Sequence, residues 1–291
     1  MREEAPGQGR PWRLAALPML WCLWWMLLPM ACLWLLALQP AAQEAQASGP
    51  AGPWGHWALL GDPYLWRLMG RTLLMALATA LCCVLLVLPL LSWMRHLQAG
   101  AQRVLLLMVM LPCWMPLLVR ILAWKSLLQH GGSLSGLLQA LGLELPASGL
   151  LYNQWAVLLV MVYTQLPFAL LPLHAAARDF DPALLEAARD LGASGWQVFW
   201  RVWLPGLAQA LRAAMLVVMI STLGTYVVSD LVGGVDGELI GNRLVQRALA
   251  QRELSQAAVM GVLVMLLSAA GLLLLMRKAG PRSNPELQSP A

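Results

Sequence analysis

The sequence predicts an all-α integral membrane protein with six transmembrane helices. Three observations carry that prediction. Of 291 residues, 60% are hydrophobic and only 11% charged, with a mean hydropathy of +0.67. A water-soluble surface on a chain of this size needs more charge, so a bilayer is the fitting solvent. Six apolar runs recur along the chain, most of them close to the roughly 20 residues that a helix needs to cross the hydrocarbon core. Short segments rich in Gly, Pro and charge separate them.

The first run, Leu14–Leu38, carries no charge and follows Arg10 and Arg13. A basic start raises the question of a signal peptide. Such cores are about 7–15 residues, and this run is longer, so it reads as a retained span, although Ala45-Gln46-Ala47 resembles a cleavage signal. Residues 39–53 form a linker of small residues and Pro. The next spans are expected at Thr72–Met94 and Val104–Trp124, the latter interrupted by Pro112 and Pro116. Trp155–Ala177, Pro205–Ser229 and Ala257–Met276 complete the six. This divides the chain into an N-tail (1–13), a membrane domain (14–276) and a C-tail (277–291).

Arginine and lysine set the expected orientation, because cytoplasmic loops retain positive charge. Twelve of the 19 basic residues fall on the side of the termini and seven on the other. Both termini are therefore expected in the cytoplasm. The net charge of +5 is spread out, with no basic patch interleaved with aromatics, which argues against nucleic acid.

Cys22, Cys32, Cys82, Cys83 and Cys113 all lie in apolar runs without metal-ligand spacing, so they read as packing residues. His56, His96, His130 and His174 are scattered, and no Ser-His-Asp grouping surrounds a recognisable nucleophile turn. No catalytic or metal site is expected. Nor can the chain grip ATP as a Walker loop does, since that needs Gly-Lys followed by Ser or Thr. Its two lysines, Lys125 and Lys278, follow Trp124 and Arg277.

The most informative stretch is the 178–205 loop, RDFDPALLEAARDLGASGWQVFWRVWLP. Asp181 suits an N-cap, Pro182 the first helical position and Gly192 the position past the helix end. Between them Leu184, Leu185, Ala187, Ala188 and Leu191 make an apolar face, with Glu186, Arg189 and Asp190 opposite. Such a helix either lies on the membrane surface or docks against a partner.

Glu186-Ala187-Ala188, Gly192, Val202 and Leu204-Pro205 resemble the EAA loop of ABC importer permeases of type I (MetI-like fold). The family pattern is EAA, three residues, Gly, nine residues, an aliphatic residue, one residue, then Leu-Pro, and every element matches. The resemblance extends over residues 70–276. The stretches LVRILAWKSLLQHGGSLSGLL, VYTQLPFALLPL and YVVSDLVGGVDGELIGNRLVQRAL are most similar to permeases of spermidine/putrescine importers. Residues 1–70 depart from the expected pattern.

This resemblance implies a multi-pass permease in a bacterial inner membrane. It implies two ATP-binding subunits that use ATP and Mg, a second and non-identical permease, and an external solute-binding protein, with no cofactor on this chain. Leu185, Glu186, Ala187, Ala188, Asp190 and Gly192 would couple to the ATPase. For the solute path, Ser221, Thr225 and Ser229, and one residue later Thr222, Tyr226 and Asp230, repeat every four positions. On one helix they would form a polar stripe ending in a carboxylate, suited to a cation. The same hydroxyls can instead bond their own helix carbonyls. Arg120 opposes a cation and favours an anionic solute. Trp114 and Trp124 suit either a path wall or an interfacial belt.

Overall fold

The computed structural model describes residues 11–38, 55–142 and 150–278. The linker, its cleavage-like signal, most of the N-tail and nearly all of the C-tail lie outside those residues. All regular structure among the described residues is helical. Four helices are long and apolar enough to cross a bilayer: Pro18–Leu38, Pro63–Met94, Gln154–Arg178 and Leu254–Leu273. Two bent pairs bring the count to six when each pair is one broken span.

Helix α1 (Pro11–Leu38) packs along α12 (Leu254–Lys278), with Ala37 buried against Ala258, Val259 and Val262. Most of its other described side chains face outward, as expected of a peripheral helix in lipid. Helix α2 (Pro63–Met94) begins nine residues before the expected Thr72. The Asp62 side chain accepts from the Tyr64 N–H at 2.9 Å, and Pro63 occupies the first turn. At 1.5 Å per residue its 32 residues run about 48 Å. That exceeds the hydrocarbon thickness of about 30 Å, so Arg67 and Arg71 can lie beyond it.

Helix α3 (Ala99–Met110), a 3₁₀ turn (Leu111–Trp114) and α4 (Leu117–Leu128) occupy the expected third span. They form two limbs at 95° to each other, not one gently kinked helix. Pro116 explains the sharpness: it lacks an N–H and holds ψ at 138°, outside the helical region. Helix α5 (Ser133–Ala140) continues the second limb. Helix α6 (Gln154–Arg178) matches its expected bounds within one residue at each end. The Asn153 side chain caps its start by accepting from the Ala156 N–H at 2.8 Å.

Helix α7 (Pro182–Asp190) follows, then α8 (Gly195–Val198), a π-helical turn (Phe199–Trp203) and α9 (Leu204–Gly206). Helix α10 (Ala208–Leu223) leaves this segment at 66°. Beyond α10 come a π turn (Ser229–Gly233), α11 (Ile240–Val245), a second π turn (Gln246–Ala250) and α12.

The centre of the molecule is the mutual packing of α2, α6 and α10. Small residues at the seam, Ala76, Ala80, Ala169 and Ala214, are fully buried and let the helix backbones approach. Cys83 is buried there, and its thiol donates to the Val162 carbonyl at 3.6 Å. Trp203, fully buried, plugs the end of this core nearest α7. Trp203→Ala removes the plug and should cost about 3–5 kcal/mol, as large-to-small core changes do. Thermal unfolding of the purified protein measures it; an unchanged midpoint would mean that the end of the core closes without the indole. At the other end Thr72 ties two segments together. Its hydroxyl donates to the Leu68 carbonyl at 2.8 Å and accepts from the Ile240 N–H at 3.0 Å.

Candidate functional site

The segment from Asp181 to Trp203 is built to hold one short helix in a fixed attitude. The Asp181 carboxylate accepts from the Ala183 N–H at 2.9 Å and Pro182 takes the first turn. At the other end Gly192 has φ +82°, the left-handed conformation that side chains resist. There the Gly192 N–H reaches the Arg189 carbonyl at 2.8 Å and the Ala193 N–H the Ala188 carbonyl at 3.1 Å. This pair of bonds is a Schellman closure. Two residues on, Ser194 and Gln197 form a reciprocal capping box, Gln197 Oε1 accepting from the Ser194 N–H at 2.9 Å. The helix spans nine residues, with Leu191 as its cap, not as a helical residue.

The expected apolar face is split in two. Leu185 packs against the core around Trp203, and Ala188 is half-buried. Leu184, Ala187 and Leu191 face outward, Leu191 with 89% of its surface open. Glu186 and Asp190 are exposed beside them. The helix is thus clamped at both ends, seated by one leucine, and offers two others outward. Behind it Trp196, Phe199, Trp200 and Trp203 stack in sequence at centroid separations of 5.2–6.2 Å. Aromatic packing thus continues from α8 through the π turn to Trp203.

The polar stripe does not survive as one continuous helix. Helix α10 ends at Leu223 with Gly224 as its cap, so Thr225 onward follows a different course. Thr222 is buried and its hydroxyl donates to the Val218 carbonyl at 2.7 Å; Thr225 donates to the Ser221 carbonyl at 2.9 Å. Ser229 is buried and donates to the Gly237 carbonyl. These hydroxyls serve their own backbone. Asp230 remains exposed, with Oδ1 accepting from Asn242 Nδ2 at 3.4 Å. Tyr226 is half-buried against Gly241, where a Cβ would stand 2.9 Å from Tyr226 Cβ. Tyr226 and Asp230 therefore sit together beside α11.

Trp114 and Arg120 flank the 95° bend and belong to different limbs. Trp114 is 78% exposed, whereas the Arg120 Nε is buried and finds no hydrogen-bond partner among the described residues. Trp124 meets Tyr163 edge-on at 5.4 Å.

Gln165 was not anticipated. It is buried in α6, and its Oε1 has no partner among the described residues. A lone carboxamide in an apolar span was the available signal. Also unanticipated was the cluster in which the Tyr64 hydroxyl donates to Glu238 Oε2 at 2.9 Å and Arg243 lies 5.8 Å from the Tyr64 ring centre. It depends on contacts between residues far apart in the chain.

The family described as "Binding-protein-dependent transport system inner membrane component" matches residues 97–284. The spermidine/putrescine transport system permease protein PotB of Salmonella typhimurium (strain SL1344) is 36% identical over 187 residues, 64% of this chain and 65% of that protein. The match thus spans just under two thirds of that relative. The inner membrane ABC transporter permease protein YdcU of Escherichia coli (strain K12) is 33% identical over 222 residues, 72% of this chain and 71% of its own length. Among solved structures, a chain of the bacterial alginate ABC transporter in complex with alginate pentasaccharide-bound periplasmic protein superposes with a TM-score of 0.74. That match covers 93% of this chain and 95% of the other at 17% identity, which shows the shared fold.

Proposed function

The chain belongs to the family of binding-protein-dependent transport system inner membrane components, and within it we propose that this is the permease subunit of an ATP-driven importer for a polyamine such as spermidine or putrescine. The observation that carries the reading is α7, a helix fixed at both ends that presents Leu184 and Leu191 outward. Leu185 transmits its position to the core, while Glu186, Ala187, Ala188, Asp190 and Gly192 shape the docking face. The partners are two ATP-binding subunits, a second permease and an external solute-binding protein. ATP and Mg act on the ATPase subunits. Both termini lie in the cytoplasm, which puts α7 on the ATPase side. The polyamine class is supported by the relatives' names and by the exposed Asp230 next to Tyr226.

In the proposed cycle the closing ATPases push α7. The push passes through Leu185 and the aromatic stack to Trp203 and the α2/α6/α10 core. The spans then rock, and the solute moves from its binding protein to the cytoplasm by alternating access. Proteoliposomes holding the complete importer test this. Spermidine should accumulate only with ATP on the α7 side and binding protein on the other. Uptake by this chain without ATPase subunits, driven by an ion gradient, would sink the reading. Because Arg120 favours anions, an anionic solute belongs in the same assay; its transport in place of spermidine would overturn the polyamine assignment.

A further inference from the structure

Behind α7 lies a cavity of about 340 Å³, walled by the end of α2, the end of α6, α7 itself and Trp203. Its lining includes Arg95, Arg178 and Arg189 together with His96 and His174, and no carboxylate. Among the described residues the ion pair found is Arg247–Glu253, so none of these three arginines, all of them exposed, forms one there. Arg95 lies over the Trp203 ring, 4.8 Å from its centre. Partial burial, and then the nearby charge of Arg189, push the Arg95 guanidinium below its ordinary value. Like charges therefore converge on one cavity whose lining carries no carboxylate, Asp179, Asp181 and Asp190 being chain neighbours outside that lining.

Apart from Gln102, the rest of the lining is apolar, including Leu91, Met94 and Leu185. The cavity also sits where two spanning helices end, α2 at Met94 and α6 at Arg178. A basic pocket between the ends of two spanning helices suits the phosphate of a lipid headgroup. Guanidinium groups are the natural partners of such a phosphate.

We propose that this cavity binds the phosphate of an anionic phospholipid headgroup, using Arg95, Arg178 and Arg189, and so braces α7 against the ends of α2 and α6. The lipid belongs to the cytoplasmic leaflet, which rests on the orientation given under the proposed function. The bound phosphate offsets the repulsion between Arg95 and Arg189.

The test is lipid binding by the assembled importer, which needs neither transport nor ATP. The complex is purified in neutral detergent, and phosphatidylglycerol and phosphatidylcholine retained per complex are counted by native mass spectrometry. Wild type should retain phosphatidylglycerol in preference to phosphatidylcholine. Arg95→Gln with Arg178→Gln should lower that retention at least about tenfold. Arg103→Gln with Arg201→Gln, which removes the same charge from exposed positions outside the cavity, should leave it unchanged. If the first pair fails to assemble, Arg178→Gln alone should show a partial loss. Equal loss in the two double variants, or equal retention of both lipids by wild type, would overturn the site. Inorganic phosphate displacing phosphatidylglycerol at low concentration would overturn the lipid as the source of the anion.

Discussion

Gly192→Asp should reduce solute uptake to background while the protein still inserts and folds. Gly192 has φ +82°, and no atom lies within 4 Å of where a Cβ would stand. Aspartate therefore meets no clash, only the left-handed backbone penalty of about 1–2 kcal/mol. A negative charge at a helix C-terminus adds about 0.3–1 kcal/mol. That total is smaller than the roughly 5–15 kcal/mol that holds a folded protein together, so the fold survives. The docking face does not. The new carboxylate stands next to Leu191, the most open leucine of the segment. Burying an unpaired charge in an interface costs about 2–5 kcal/mol, which corresponds to roughly 30-fold or more in ATPase engagement. Co-purification of the ATPase should fall with uptake, and Gly192→Ala should fall much less, because it brings strain without charge. Normal uptake by Gly192→Asp would remove α7 from the coupling role.

Asp230→Asn should weaken polyamine uptake by about 10- to 100-fold at low substrate. Hydrogen bonds to charged groups contribute about 1.5–3 kcal/mol, and the substitution removes the charge while keeping the shape. Asparagine still offers an Oδ1 to Asn242, which lies 3.4 Å from the present carboxylate, so the local fold should hold. The exposed position of Asp230 makes a structural side effect small. The comparison to draw is spermidine uptake against the expression level of the assembled complex. Transport at the wild-type rate would take Asp230 out of the solute path. A matching loss in Thr222→Val would be unexpected, because that hydroxyl is buried and already bonded to Val218.

Much of the architecture was legible without coordinates. The α6 ends fell within one residue of expectation because Asn153 and Arg178 bracket a run free of Asp, Glu, Lys and Arg. The α7 caps were equally readable, since Asp181, Pro182 and Gly192 act through bonds to their own neighbours. Such local rules need no knowledge of the rest of the chain. The bends were harder. Pro112 and Pro116 announced an interruption, but not that the limbs would stand at 95°. The stripe from Ser221 to Asp230 looked continuous because periodicity assumes one helix; the stop at Gly224 broke it.

The amino-acid order alone determined a multi-pass helical membrane protein with a short helix capped at both ends, because hydropathy and capping are short-range properties. It also determined the spacing from Glu186 to Pro205 that marks the family. Only the tertiary structure decided which leucines of that helix point outward, because burial depends on what lies behind them. Leu185 turns inward since the core around Trp203 receives it, which leaves Leu184 and Leu191 free. Tertiary structure alone also brought Arg95, Arg178 and Arg189 around one cavity. Arg95 is far along the chain from Arg178 and Arg189, and only the common end of α2 and α6 makes it their neighbour.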